Sequence, residues 1–197
     1  MAPRGYQQLH RPDIWAPNVG LLGGAIFVTS SSPKLPEPWP VLAMAVGAIA
    51  LAAAIWAIFI RRRELAPIEP AGRTAGLVYL ASVALMIALI YCGTRLLDGL
   101  GHSSAAPAWV ATSVGLHFVP FAWAFTTPFF RLLGWALAAI GAVGVLLVVA
   151  AGLPLAGPAA AVVAGITMIV LIAIDALGDE RRARAAAAVA AAPSPNG

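Results

Sequence analysis

The stretch from Pro40 to Ile60 most constrains the fold of this chain, because it contains no charged side chain. As an α-helix rising 1.5 Å per residue it covers roughly 30 Å, the thickness of the hydrocarbon core of a bilayer. It follows a proline-rich stretch and stops at Arg61, Arg62 and Arg63. The sequence therefore predicts a transmembrane helix here, with its arginines at one interface.

Similar apolar stretches recur along the chain. Together they predict an all-α, polytopic membrane helix bundle with about six spans, at about residues 17–32, 40–60, 74–97, 107–125, 132–152 and 158–177. The first is the shortest, and its end is polar from Thr29 to Ser32. It either spans the bilayer, which we prefer, or dips in and returns to the same side.

Composition excludes an ordinary soluble domain. The chain is 61% hydrophobic and 10% charged, whereas soluble domains are about a quarter charged. The net charge of +4 does not indicate nucleic acid as a partner, because the basic residues form short clusters beside the apolar stretches. The only cysteine, Cys92, has no partner for an internal disulfide.

If the spans alternate, the basic residues fall mostly on one side of the membrane. That side holds Arg4, Arg11, Arg61–Arg63, Arg73, Arg131, Arg181, Arg182 and Arg184. The opposite side has Lys34, with Arg95 near a helix end. The positive-inside rule predicts that both termini are cytoplasmic. Residues 1–16 are then a cytoplasmic segment, 17–178 the transmembrane bundle, and 179–197 a cytoplasmic, partly disordered tail.

The six tryptophans agree with this topology, because indoles prefer the headgroup level. Four fall near the predicted inner interface and two near the outer one, in the order Trp15, Trp56, Trp123, Trp135, then Trp39 and Trp109. The frequent Ala, Gly, Pro, Val and Arg are typical of high-GC bacteria. We therefore expect a multi-pass protein of a bacterial plasma (inner) membrane.

Small residues at helical spacing mark candidate packing surfaces, because membrane helices associate through close contact of small side chains. They are Gly20 with Gly24 in the first span, Ala43 with Gly47 in the second, and Gly134 with Gly141 in the fifth. We expect them to pack the bundle internally. The alternative is a contact with other membrane subunits or with a second copy of the chain.

His117 is the one ionisable residue that the sequence puts near the middle of the membrane, in the fourth span. Ser113 lies four residues before it on the same helix face, and Pro120 removes a backbone N–H three residues after it. Two interpretations remain open. These residues form an intramembrane polar site, proton-responsive because histidine titrates near neutrality, or His117 is neutral and bonds a neighbouring helix.

A second candidate polar site lies at the outer rim of the third span. Tyr91, Arg95 and Asp98 share one helix face there. They bind an anionic headgroup or a polar substrate, or Arg95 extends to the interface and pairs with Asp98, which we prefer.

No catalytic motif, metal-ligand cluster or cofactor signature is present in the sequence, and we expect no cofactor. We therefore favour an accessory or structural subunit of a membrane assembly, with the lipid bilayer and other membrane subunits or a homo-oligomer as partners.

One alternative is a small transporter or substrate-binding module with its site at His117. The size and span number are similar to those of the membrane-embedded substrate-binding subunits of energy-coupling-factor importers, an architectural similarity that transfers no sites. A second alternative is a lipid-modifying membrane enzyme.

Overall fold

In the computed structural model the backbone is described for residues 12–60, 73–124 and 128–191, and the side chains for 18–58, 76–123 and 129–178. Within these ranges the chain is helical apart from short turns between helices, with no strand. The helices are α1 (Pro12–Ser31), α2 (Trp39–Ile55), α3 (Arg73–Gly99), α4 (Ala106–Ala124), α5 (Pro128–Ala151) and α6 (Ala156–Ala191). A π-helical turn, Trp56–Ile60, extends α2 to the end of its predicted span.

Among the described residues, five stretches are long and apolar enough to cross a bilayer, where about six spans were predicted; they indicate a membrane-embedded helix bundle. They are Trp39–Ile58, Gly76–Gly99, Ser103–Trp123, Phe129–Ala151 and Ala156–Gly178. All five coincide with predicted spans. The first predicted span forms the helix α1, which packs against α6.

The last helix continues beyond the sixth predicted span. The segment from residue 179 was predicted to be polar at first and then alanine-rich, with a run of alanines able to extend the helix, and α6 continues to Ala191. The reason is the alanine-rich stretch after Arg184, because alanine has the highest intrinsic helix propensity. The predictions for residues 1–11, the inner loop 61–72 and the tail end 192–197 lie outside the described residues.

The packed helix pairs α4–α5 and α1–α6 run antiparallel. In α4 and α5, Gly115 faces Ala138 while Thr112, one turn earlier, faces Gly141. In α1 and α6, Gly24 faces Gly165, and Gly20 faces residues one to two turns later in α6. The short connections between neighbouring helices are typical of this up-and-down arrangement.

The core lies around α6 and the α4–α5 pair. Leu133, Leu137 and Ile169 are its largest fully buried apolar side chains. Half of the α6 span is buried inside the protein, compared with 6% of the α3 span. Among the described elements, α3 contacts only α4 and the 3₁₀ turn that precedes α4, Ser103–Ala105. Helix α3 is therefore the peripheral member of the bundle.

Candidate functional site

His117 lies in an aromatic cluster that joins α3, α4 and α5. Its ring centroid is 6.3 Å from that of Tyr79, 5.3 Å from Phe118 and 6.1 Å from Phe121. Phe130 of α5 stacks on Phe118 at 5.9 Å and meets Phe121 edge-on at 4.7 Å. We call these five residues the aromatic cluster. Its offset and edge-to-face contacts are those that favour aromatic association.

The polar atoms of His117 are only partly matched. Its Nδ1 is buried and has no hydrogen-bond partner within the described part of the chain. The backbone of Ser82, on α3, is the polar group beside the ring. The Ser82 hydroxyl is not free to serve the imidazole as donor, because it donates to the carbonyl oxygen of Tyr79 at 2.9 Å.

The other two residues predicted for this site do not bind His117. The hydroxyl of Ser113 is fully buried and donates to the carbonyl oxygen of Trp109 at 2.9 Å. Pro120 lies within α4, which continues to Ala124, and its missing N–H leaves the Leu116 carbonyl without a helical donor. Thus the structure surrounds His117 with aromatic rings and does not assemble the three residues into one polar site.

The outer-rim residues lie along a cleft at the end of α3. The guanidinium carbon of Arg95 is 5.6 Å from the ring centroid of Tyr91, a cation–π contact. Thr94, Arg95, Asp98, Ser103 and Ala106 line a cavity of about 280 Å³. No ion pair joins Arg95 to Asp98 in the described residues, so the preferred pairing of the sequence analysis is not what the structure contains.

Four of the candidate packing residues lie in close helix contacts. Gly20 and Gly24 face α6, and Gly134 and Gly141 face α4. A Cβ atom at Gly134 or Gly141 would come within 3 Å of an α4 backbone atom. These contacts allow the backbones to approach closely, which is the main source of packing energy between membrane helices.

The two α2 residues differ in position. Gly47 is buried against Val28 of α1. Ala43 lines an apolar groove of about 490 Å³ between the N-terminal halves of α2 and α6, next to Leu42, Val46 and Ala159. Trp39 lies at the same groove. Of the two α2 packing residues, Gly47 is therefore covered by another helix, while Ala43 faces the groove.

The contact that attaches α3 to the bundle was not predicted from the sequence. The indole N–H of Trp109 donates to the carbonyl oxygen of Leu89 at 2.7 Å. Gly93 is the residue against which this indole lies, and a Cβ atom there would overlap the ring. The sequence analysis assigned Trp109 to the outer headgroup region, although Gly93 in the preceding span was a signal for close approach.

The described residues contain no set of three or more His, Cys, Asp or Glu side chains that could hold a metal ion. No family model, curated protein or solved structure matches the chain. The class that fold and site define, over the described residues, is an all-helical, membrane-embedded bundle with a half-buried histidine among aromatic rings and a charged cleft.

Proposed function

We propose that this protein is a non-catalytic accessory subunit of a membrane assembly, which binds another membrane protein through the outward face of α3. The observation that carries the proposal is the attachment of α3 to the bundle. A helix of this length packs against a single neighbour and buries only 6% of its span inside the protein. Its remaining sides are available to lipid or to helices of another subunit.

The outward face of α3 has the side chains that helix packing in membranes requires. Ala81, Ala84, Ala88 and Cys92 follow one another at intervals of three or four residues, and all are exposed. This spacing aligns them on one side of the helix, away from the side that carries Gly93. Small residues in such a row allow a second backbone to approach closely. We call these four residues the docking face.

The surroundings of His117 support a structural role over a transport role. A transport site needs a polar, water-accessible cavity, whereas His117 is in contact with aromatic rings from α3 and α4. Neither the α2–α6 groove nor the α3–α4 cleft is lined by His117. We infer that the aromatic cluster holds α3 against α4.

The finer topology is part of this proposal. We propose six crossings of a bacterial inner membrane, including α1, with both termini in the cytoplasm. The antiparallel contacts of α4 with α5 and of α1 with α6 and the distribution of arginines support it. In a Cys92→Ser background, Lys34→Cys and Ser103→Cys should react with a membrane-impermeant maleimide on intact cells. Gly178→Cys should react only after permeabilisation, and the reverse labelling pattern would contradict this orientation.

Cys92 allows a direct test of the docking face, since it is the only cysteine and it is exposed. We would attach a benzophenone maleimide to Cys92 in native membranes, irradiate, and identify the adducts by mass spectrometry. The proposal predicts a covalent adduct with one other membrane protein in high yield.

The matched control moves the thiol to a helix face that the proposal leaves in lipid. The double variant Cys92→Ser, Leu146→Cys places it on α5, where Leu146 is 63% exposed. This variant should give lipid adducts and no protein partner. If Cys92 itself gives only lipid adducts, or the same adducts as the control, the docking face is not an interface.

A further inference from the structure

The cleft at the outer end of α3 has the size of a small polar group. Its volume is about 280 Å³, near the lower end of ligand pockets, which begin at roughly 300 Å³. Thr94 and Asp98 lie roughly a quarter turn round α3 from the docking face, whereas Arg95 follows Cys92 by three residues and lies on the docking-face side. The cleft therefore borders the proposed subunit contact at Arg95.

Two opposite charges are kept apart in this cleft. The guanidinium carbon of Arg95 lies over the Tyr91 ring, 5.6 Å from the ring centroid. A guanidinium that stacks on an aromatic ring keeps the N–H donors in its own plane for a bidentate anion. Asp98, three residues later, lines the same cleft and forms no ion pair with Arg95 in the described residues.

The loop after α3 closes the other side of the cleft. Gly101 has a positive φ of 77°, which glycine adopts without steric cost. Its N–H donates to the carbonyl oxygen of Asp98 at 2.9 Å, and the N–H of His102 donates to that of Leu97 at 2.7 Å. These bonds fix the loop so that Ser103 lines the cleft with Asp98. The C-terminal end of a helix carries partial negative charge, which adds to the attraction of Asp98 for a cation.

We propose that this cleft binds a phosphoethanolamine headgroup. The phosphate accepts hydrogen bonds from Arg95 and Ser103, and the primary ammonium donates to the carboxylate of Asp98. Arg95 and Asp98 are offset by about 4.5 Å along the helix axis, a distance that suits the ethylene bridge between phosphate and ammonium. The cleft thus supplies one positive and one negative side chain, which match the two opposite charges of the zwitterionic headgroup.

The order of side chains along α3 identifies a phospholipid as the source of this headgroup. Leu80, Ile87 and Tyr91 are exposed on the same flank of α3, deeper in the membrane than Arg95. Going outward, α3 therefore presents apolar surface, then a phosphate-binding group, then an ammonium-binding group. A phosphatidylethanolamine molecule has its chains, phosphate and ammonium in the same order.

The test measures lipid retention on the purified, delipidated full-length chain by native mass spectrometry. The lipids are phosphatidylethanolamine, phosphatidylglycerol and phosphatidylcholine with identical acyl chains. Phosphatidylglycerol lacks the ammonium, and phosphatidylcholine lacks its N–H donors. We expect phosphatidylethanolamine to bind roughly fivefold more tightly than the other two, the effect of one partly exposed charge pair. Equal binding of the three lipids would overturn the proposal.

Charge-neutral variants separate the two halves of the headgroup. Asp98→Asn should abolish the preference for phosphatidylethanolamine and leave phosphatidylglycerol binding unchanged, whereas Arg95→Gln should weaken binding of all three lipids. Lys34→Gln and Glu37→Gln remove exposed charges on the same side of the bundle and should change nothing. A preference that survives in Asp98→Asn contradicts the assignment.

Competition with soluble glycerophosphoethanolamine distinguishes a phospholipid ligand from a free headgroup compound. The soluble compound competes poorly if the acyl chains of the lipid contribute to binding. It competes as well as the lipid if a free headgroup compound is the ligand.

Discussion

The indole N–H of Trp109 on α4 donates a 2.7 Å hydrogen bond to the backbone carbonyl oxygen of Leu89 on α3. One turn after Leu89, Gly93 provides the space that the indole occupies. The aromatic cluster lies nearer the other end of α3. The bond and the cluster together hold α3 against α4, the one helix of the described bundle that α3 contacts. The position of the docking face depends on both contacts.

A Cβ atom at Gly93 should displace the Trp109 indole. We expect Gly93→Ala to lower the free energy of unfolding by about 1–3 kcal/mol, the usual cost of overpacking. Gly76→Ala is the matched control, because Gly76 is on the same helix and nothing lies within 4 Å of its added Cβ. Thermal unfolding in detergent measures both. If the two variants are equally stable, Gly93 does not set the approach of α4.

Gly115 should be essential for the contact of α4 with α5. Its added Cβ would overlap the backbone N–H of Ala138 and the carbonyl oxygen of Gly134, and backbone atoms do not move aside as flexible side chains do. We expect Gly115→Ala to destabilise the protein by about 2–3 kcal/mol, measured by the same unfolding assay. Gly99→Ala, with open space around its Cβ, should be near neutral. A similar tolerance at both positions would contradict the close contact.

His117 should tolerate an aromatic replacement. His117→Phe keeps a ring in the aromatic cluster and removes the buried, unpartnered Nδ1, which by itself costs about 1–3 kcal/mol. We expect this variant to unfold at the same temperature as the wild type or higher. His117→Ala leaves a cavity and should destabilise by about 2–3 kcal/mol. The prediction is wrong if His117→Phe is as unstable as His117→Ala, since the imidazole nitrogens would then be required.

Two neighbouring glycines of α1 should respond differently to alanine. At Gly24 the added Cβ meets the Gly165 carbonyl oxygen at 2.9 Å and Ile169 at 2.7 Å. At Gly23 it meets only the end of the flexible Met168 side chain, at 3.3 Å. We expect Gly24→Ala to lower stability by about 1–3 kcal/mol and Gly23→Ala to change it by less than about 0.5 kcal/mol. Equal effects would show that α1 does not pack on α6 through this surface.

The sequence predicted the helical membrane fold because apolar length alone determines which segments enter a bilayer. Span limits such as Pro40 and Ile60 followed from prolines and arginines. That Gly134 and Gly141 share one helical face was also predictable, because it follows from their spacing along a single helix. Which helix each face meets is a tertiary property. The pairing of Trp109 with Leu89, and of Gly115 with Gly134, was therefore not predictable from one sequence.

In the candidate sites, too, features local to one helix were predictable, and features that depend on tertiary structure were not. The shared face of Tyr91 and Arg95 is a local pattern of one helix, and the structure places the two side chains in contact. Ser103 could not be assigned to the same cleft, because its position depends on how the loop turns at Gly101. Likewise, Ser113 precedes His117 by one turn, but the closer hydrogen-bond acceptor for its hydroxyl is its own helix backbone.

Native mass spectrometry of the chain, extracted gently from its own membrane, tests the proposed subunit role most directly. We predict a complex that contains this chain and at least one other membrane protein in fixed stoichiometry. Phenylalanine substitution at Ala88, on the docking face, should release that partner, while the same substitution at the exposed Ala139 of α5 should not. A monomer or homo-oligomer without foreign subunits would contradict the accessory role and favour a function that the chain performs alone.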